Sequence, residues 1–240
     1  RHKRLMPILD NAHPILRRVF EKAAAVFAEK YPRRAIRVVG STREFDTQLR
    51  AFKSGKSKLD PRVKPSRHLY TPSLAIDCHI YRVKPEDQPD GGFWQTKPGV
   101  PADLILVPSG RFPYDLIQHE YRCFGYEMQS WPDSELPDAR LVWGGSWKQA
   151  SAIDRWSLPR FFDGPHVQMS DKACVEETQE MLRNEGYDPG VGDGLWGSKT
   201  RAALADFAAT NDIEMKLVPG RKFPVPTDLW SALCKACYGQ

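Results

Sequence analysis

Long apolar runs are missing from this chain of 240 residues. No stretch approaches the roughly 18 to 20 apolar residues that a bilayer-crossing helix needs, so the sequence predicts no membrane insertion. The first residues, RHKRLMPILDNAHP, are basic but lack the apolar core of about 7 to 15 residues that a secretory signal carries. Because residue 1 is Arg rather than Met, loss of an export signal from the N-terminus is retained as an alternative.

Cysteine is sparse and irregularly spaced. The five cysteines form an odd set without a repeating interval, which argues against a disulfide framework and predicts reduced thiols. Cys234 and Cys237 have the spacing of redox and zinc-binding pairs, but a zinc ribbon needs a second such pair and the sequence has none. We therefore expect this pair to be structural.

Charge of one sign dominates only part of the chain. Residues 170–240 contain 8 Lys and Arg against 11 Asp and Glu, a net charge of −3. Because the whole chain has a formal net charge of +5, the preceding residues carry +8. A basic first part is attracted to an anionic polymer, either nucleic acid or a bacterial envelope. Since no nucleic-acid recognition motif is present, we expect no nucleic-acid partner.

The composition, 41% hydrophobic and 27% charged, is typical of a folded protein and excludes a disordered chain. Separate helical and strand patterns before residue 168 indicate an α+β domain, and helical patterns alone follow residue 170. We predict a first domain over 1–168 and a small three-helix domain over 169–240. The individual patterns predict helices over 14–30, 44–53, 114–130, 175–186, 198–211 and 227–236, and strands over 35–40, 74–81 and 141–147.

Histidine is scarce, with six in the chain, and two of the six lie beside predicted strands. His68 precedes the strand that contains Asp77, and His166 follows the Trp-rich strand. An acidic residue within an apolar strand is costly to bury unless it is paired or bound to metal. Two imidazoles and one carboxylate form a set of three zinc ligands with one position left for water, although a histidine beside a strand is more often structural.

Other residues complete or compete with this set. Asp163 lies three residues before His166, across a turn stiffened by Pro165, and can act as the general acid and base. Arg43 offers a cation for a substrate carboxylate or a developing oxyanion. His79 lies two residues after Asp77 on the same strand face. It is an alternative that either supports a metal ligand through a hydrogen bond or replaces one.

The motifs around these residues resemble a known family. SRHLYTPSLAIDCHI resembles the Ser-x-x-His and Ala-x-Asp motifs of the VanY-like zinc peptidases of D,D-carboxypeptidase type, and GGSWK followed by FFDGPHV resembles their GG-x-W and Asp-x-Pro-His motifs. The phage L-alanyl-D-glutamate endopeptidases of this family fit best. STREFDTQLRAFKSGKSK is similar to a further family segment, so the resemblance implies substrate-binding roles for Arg43, Ser66 and Trp147.

The chain departs from the family pattern in two places. His68 and Asp77 are nine positions apart where the family usually has seven, so the residues around Thr71 and Pro72 must bulge without moving either ligand. Ser66 lies two residues before the histidine, and the family's glycine after the histidine is absent.

The C-terminal stretch CVEETQEMLRNEGYDPGVGDGLWGSKTRAALADFAATN is similar to the three-helix peptidoglycan-binding domain. The resemblance implies that Asp193, Trp196 and Thr200 lie at a wall-binding loop, although Trp196 can equally be a core residue and the glycines, Asp193 and Thr200 have scaffolding roles. The usual second half of that domain is replaced by MKLVPGRKFPVPTDLW.

Together the resemblances imply a monomeric, zinc-dependent endolysin that binds bacterial peptidoglycan and cleaves its stem peptide between L-Ala and D-Glu. Such a protein is phage-encoded and stays in the host cytoplasm before its release to the cell wall, or is periplasmic or extracellular if a signal was lost. The alternatives are a carboxypeptidase that removes terminal D-Ala and a wall-binding protein without catalysis.

Overall fold

A computed structural model describes residues 9–31, 34–83, 104–106, 121, 123–125, 128, 141–144 and 164–239. Helices and strands are mixed, which confirms the α+β class. Among the described residues no helix combines the length and the apolar character of a bilayer-crossing segment. In chain order the elements are α1 Pro14–Lys30, β1 Arg34–Gly40, α2 Phe45–Lys53, β2 Ala75–Val83, β3 Leu104–Leu106, β4 Leu141–Trp143, β5 His166–Met169, α3 Asp171–Asn184, α4 Ser198–Thr210 and α5 Thr227–Tyr238.

The strands among the described residues form one five-stranded sheet in the order β1-β2-β5-β4, and β3 also pairs with β2. β1 and β2 are antiparallel, with an irregular register between Val38 and Gly40 that brings Gly40 opposite Asp77. The Cys78 N–H donates to the Pro165 carbonyl at 2.8 Å, and the Met169 N–H donates to the Leu74 carbonyl at 3.0 Å. As residue numbers increase along β2, the numbers of the residues bonded to it decrease along β5, so these two strands are antiparallel as well.

Helix α1 has the predicted bounds because its apolar residues recur at helical spacing. One face is buried, and it contacts β1. Phe20 and Phe27 pack edge to face against Phe124, at centroid distances of 6.3 and 6.1 Å. The buried residues of α1 are Ile15, Leu16, Val19, Phe20, Ala23 and Phe27.

Helix α3 contacts both α4 and α5. Its N-terminus is capped by Ser170, whose Oγ accepts from the Ala173 N–H at 3.0 Å. Because this cap lies upstream of the expected start at residue 175, α3 is longer at its N-terminus than predicted. Ser198 and Thr227 are each the first helical residue rather than the cap, since Gly197 and Pro226 occupy the cap positions.

The chain divides into two compact units. The first unit contains Arg1–His13, Ser41–Ala75 and Met169–Gln240, and the second contains Pro14–Gly40 and Ile76–Gln168. One boundary falls after Gln168, where the sequence predicts the end of the first domain. Segment Ser41–Ala75, however, groups with the C-terminal helices.

Candidate metal centre

His68 lies in a 3-10 turn, Arg67–Leu69, directly before β2, and only 3% of the residue is exposed. Ser66 caps this turn, since its Oγ accepts from the His68 N–H at 3.3 Å. The Nδ1 of His68 contacts the Ser41 carbonyl. A carbonyl oxygen only accepts hydrogen bonds, so Nδ1 carries the proton and Nε2 carries the lone pair that a metal ion needs.

Asp77 lies within β2, and its side chain is 25% exposed. Gly40 is its neighbour on β1, and a Cβ at position 40 would lie 3.3 Å from the Asp77 Oδ2. The glycine therefore leaves room for the carboxylate at this point of the sheet. Thr71 and Pro72 lie between Leu69, where the 3-10 turn ends, and Ala75, where β2 begins, and a bulge there relative to the family stays a prediction.

His166 is the first residue of β5 and is 6% exposed. The turn before it is held by Trp143 of β4, whose Nε1 donates to the Gly164 carbonyl at 2.7 Å. The Nδ1 of His166 lies 3.1 Å from Asp77 Oδ1, and its Nε2 lies 3.0 Å from Gln168 Oε1. When Nε2 donates its proton to Gln168, Nδ1 directs its lone pair towards Asp77.

These three side chains form a group that could hold a metal ion. One ligand atom from each of His68, Asp77 and His166 can be chosen so that all three lie within 4.8 Å of one another. Zinc bonds of about 2.1 Å in a tetrahedron separate neighbouring ligand atoms by about 3.4 Å. Two imidazole nitrogens and a carboxylate oxygen are ligand types that zinc takes, so the donor set fits zinc.

His166 Nδ1 lies close enough to Asp77 Oδ1 to donate a hydrogen bond to the carboxylate or, with the proton on Nε2, to share a cation with it. His79, considered as a substitute ligand, is not part of the group that meets among the described residues.

Arg43, predicted to bind substrate, is linked to His68 through the backbone, since its N–H donates to the His68 carbonyl at 2.7 Å. Its Nη1 donates to Gln48 Oε1 at 2.7 Å. Gln48 is fully buried, and its Nε2 donates to Ser57 Oγ at 2.8 Å and to the Leu59 carbonyl at 3.1 Å. The guanidinium is therefore positioned by a buried amide.

Two predicted site residues, Asp163 and Trp147, lie outside the described residues. The predicted helix over 114–130 is described only at residues 121, 123–125 and 128, and the predicted strand over 141–147 only as far as residue 144.

The predicted wall-binding residues form part of the loop between α3 and α4. Thr200 is buried, and its hydroxyl donates to the Pro189 carbonyl at 3.1 Å. Asp193 Oδ1 accepts from the Leu195 N–H at 2.9 Å and from Gln179 Nε2 at 3.2 Å. These bonds lower the pKa of Asp193, the backbone bond most strongly. Both side chains thus hold the loop, and their contact with the wall stays a prediction.

Trp196 of the same loop is partly exposed, and its buried Nε1 has no hydrogen-bond partner among the described residues.

The cysteines carry no disulfide. Burial raises the pKa of Cys234, and burial together with Glu185 raises the pKa of Cys237 to about 12. A redox Cys-x-x-Cys pair has a lowered pKa on its reactive thiol, so the shift here is in the opposite direction. Cys234 Sγ contacts Met181 Sδ at 3.7 Å, so this thiol lies in the core against α3.

Three partners of the site residues were not predicted from the sequence: Ser41, Gln48 and Gln168. Gln168 had a detectable signal, because residues two apart on a strand share a face and it follows His166 at that interval. Ser41 acts through its backbone carbonyl, which any residue provides. Gln48 acts through contacts with loop residues 57 and 59, whose position only the fold determines.

No protein-family model and no curated protein matches the sequence. Among solved structures, the chain is similar to the L-Ala D-Glu endopeptidase ChiX of Serratia marcescens, with 20% sequence identity and a TM-score of 0.37. The similarity covers 68% of this chain and 83% of that chain. Likeness at this level assigns neither a family nor a residue role.

Proposed function

We propose that the chain is a zinc-dependent peptidoglycan endopeptidase that cleaves the stem peptide between L-Ala and D-Glu. The observation that carries the proposal is the meeting of His68, Asp77 and His166, which come from separate stretches of the sequence. The motif resemblance of these stretches to L-alanyl-D-glutamate endopeptidases supports the choice of bond.

Each side chain of the site has a role in this proposal. Bound zinc would supply a Lewis acid and lower the pKa of a coordinated water to about 7. Ser41 and Gln168 orient the two imidazoles, and Arg43 binds a substrate carboxylate. Asp163, before the turn that Trp143 holds, takes a proton from the attacking water and passes it to the leaving amine.

The C-terminal helices are proposed to bind the wall through the loop that contains Trp196. The resemblance of this loop to peptidoglycan-binding domains supports this role, and so does the partial exposure of the Trp196 side chain. The protein would act as a monomer at the cell wall, reached by release from a phage-infected host or by export.

The ligand set is tested by measuring zinc in purified variants. Mass spectrometry should find one zinc ion in the unchanged protein. His68→Ala, Asp77→Ala and His166→Ala should each lose it, because removal of one ligand from three leaves a weak site. Asp163→Ala should keep zinc and lose turnover by roughly 100-fold or more. An active Asp163→Ala variant would disprove its role in proton transfer.

The bond is tested by digesting purified peptidoglycan with and without a chelator. Endopeptidase cleavage produces fragments with a new N-terminal D-Glu, whereas a carboxypeptidase releases D-Ala and leaves that bond intact. The chelator should abolish the new fragments. Zinc-loaded protein that yields neither product would leave only wall binding.

A further inference from the structure

A cleft of about 510 Å³ lies within the unit that contains Ser41–Ala75 and the C-terminal residues. One side consists of residues 42–45, 61–63, 65, 69 and 71, and the other side consists of residues 216–219, 226 and 227. The second side belongs to the segment that replaces the usual second half of a peptidoglycan-binding domain. We call this segment, Lys216–Thr227, the C-terminal strap.

The strap has a fixed conformation. The Val218 N–H donates to the Pro224 carbonyl at 2.8 Å and closes a turn, within which Gly220 has a φ of 68° that a glycine adopts without strain. Arg221 Nη2 donates to the Pro65 carbonyl at 2.7 Å, and the Tyr70 hydroxyl donates to the Val225 carbonyl at 3.0 Å. The strap is therefore attached to the segment that contains His68.

Aromatic packing strengthens this attachment. Phe223 lies 5.8 Å from the Tyr70 ring and 5.6 Å from the Trp230 ring, and all three side chains are buried. The Arg67 guanidinium lies over Phe223 at 4.7 Å from its centroid. A wall held by buried aromatic contacts loses little entropy when a ligand binds, which favours affinity.

Two residues that line the cleft adjoin His68, which does not itself line it. Leu69, the next residue in the chain, lines the cleft, and so does Arg43, whose N–H donates to the His68 carbonyl. A peptide in the cleft would therefore lie beside the segment that contributes this ligand.

The charged residues that line the cleft are three cations, Arg43, Arg62 and Lys216, and one carboxylate, Glu44. Lys216 pairs with Glu214, and both side chains are more than two-thirds exposed, at 75% and 71%. Exposed pairs of this kind contribute little stability, so Lys216 can exchange its partner for a carboxylate of a ligand at small cost. Apolar side chains, including Val63 and Leu217, line the space between the charges.

We propose that the C-terminal strap is the second wall of the substrate cleft and that Lys216 binds a carboxylate of the stem peptide. This inference rests on the proposed function and adds a substrate-binding role to a segment outside the zinc-peptidase motifs. If the strap only anchored the protein to the bacterial cell wall, changing it would affect hydrolysis of the polymer alone. If the strap is one side of the substrate cleft, changing it also affects hydrolysis of a small soluble peptide.

The test uses the full chain and the soluble synthetic peptide L-Ala-D-Glu-L-Lys. Lys216→Glu should raise KM about tenfold and leave kcat within about twofold, because a reversed charge opposes the carboxylate without touching the reacting bond. Leu217→Ala should raise KM through lost apolar contact. The matched control is Lys199→Glu, since Lys199 is also exposed, at 72%, and lies outside the cleft; its KM should equal that of the unchanged chain.

A second peptide with its carboxylates amidated separates the charge effect from a change in the fold. If Lys216 binds a carboxylate, Lys216→Glu should no longer raise the KM of the amidated peptide. Thermal melts establish that each variant is folded.

The outcomes separate this inference from the proposed function. If Lys216→Glu and Leu217→Ala cleave the peptide with an unchanged KM, the strap does not bind the substrate, and the proposed endopeptidase function stands. If the unchanged chain binds the fluorescently labelled peptide without cleaving it, the proposed function fails, and weaker binding by Lys216→Glu still supports the wall. An unchanged chain that neither binds nor cleaves the peptide overturns both.

Discussion

Gln168 is placed to orient the imidazole of His166. Its Oε1 lies 3.0 Å from the His166 Nε2, on the side of the ring opposite to the Asp77 contact. Partners of this kind fix the tautomer and the direction of a metal-binding imidazole. At the scale of single residues the predicted ligands depend on neighbours that have no ligand character of their own.

Replacing this amide should weaken the metal site without removing a ligand. Gln168→Leu removes the acceptor for Nε2–H, so we expect the zinc dissociation constant to rise by about 10-fold to 100-fold. Competition with a chromogenic chelator measures it. Gln168→Glu keeps an acceptor and serves as the control. Its zinc affinity should equal or exceed that of the unchanged chain. A loss of zinc affinity in Gln168→Glu equal to that in Gln168→Leu would contradict the role assigned to Gln168.

The sequence singled out the three side chains that meet as candidate ligands, but not the groups that contact them. His68, Asp77 and His166 have side chains rare enough, and neighbours patterned enough, to be weighed one by one. Ser41 orients His68 with a backbone carbonyl, a group present at every position. Sequence patterns carry no information on which carbonyl an imidazole meets across 27 positions.

At the scale of elements, a glycine permits the contact that holds β4 next to the turn before His166. A Cβ at Gly125 would lie 2.2 Å from the Cδ2 of Trp143, so the indole lies directly against the glycine backbone. The same indole donates to the Gly164 carbonyl. Helix α1 could be predicted at both ends from its apolar spacing, whereas this contact depends on the absence of a side chain.

Gly125→Ala should therefore destabilise the protein and loosen the turn. Moving the indole costs packing and leaves a buried carbonyl without its donor, and we expect a loss of about 2 to 4 kcal/mol in the free energy of unfolding. Urea denaturation measures this loss. At Gly197 a Cβ meets no atom within 4 Å, so Gly197→Ala should change the stability by less than about 1 kcal/mol. Equal effects of the two variants would refute the packing argument.

At the scale of the whole molecule, the chain order of the predicted domains differs from the grouping of their contacts. Arg67 is 3% exposed and pairs with Asp171, and Tyr70 and Trp230 pack edge to face at 6.3 Å. The Trp230 Nε1 also donates to the Pro72 carbonyl at 3.3 Å. Composition and charge change near residue 170, which suggested a boundary, but such shifts do not reveal which distant segments pack together.

A chain that ends at residue 168 tests the division at 1–168. Removal of Asp171 leaves the buried Arg67 without its ion-pair partner, at a cost of roughly 3 to 5 kcal/mol, and exposure of Tyr70 adds about 2 kcal/mol. Since whole domains are stable by about 5 to 15 kcal/mol, we expect this fragment to be largely unfolded and to bind zinc poorly. Circular dichroism and zinc titration measure both; a folded fragment with the zinc affinity of the full chain would establish the predicted boundary.

The bonds from Arg221, Tyr70 and Trp230 join residues that are 155 to 158 positions apart. During synthesis at about 5 to 20 residues per second, the segment with His68 leaves the ribosome about 8 to 30 seconds before the strap that holds it. Until the strap has left the ribosome, the nascent segment with His68 therefore lacks these three hydrogen bonds. If the chain is the endopeptidase proposed above, a product that terminates before residue 216 would be harmless to the cell that makes it.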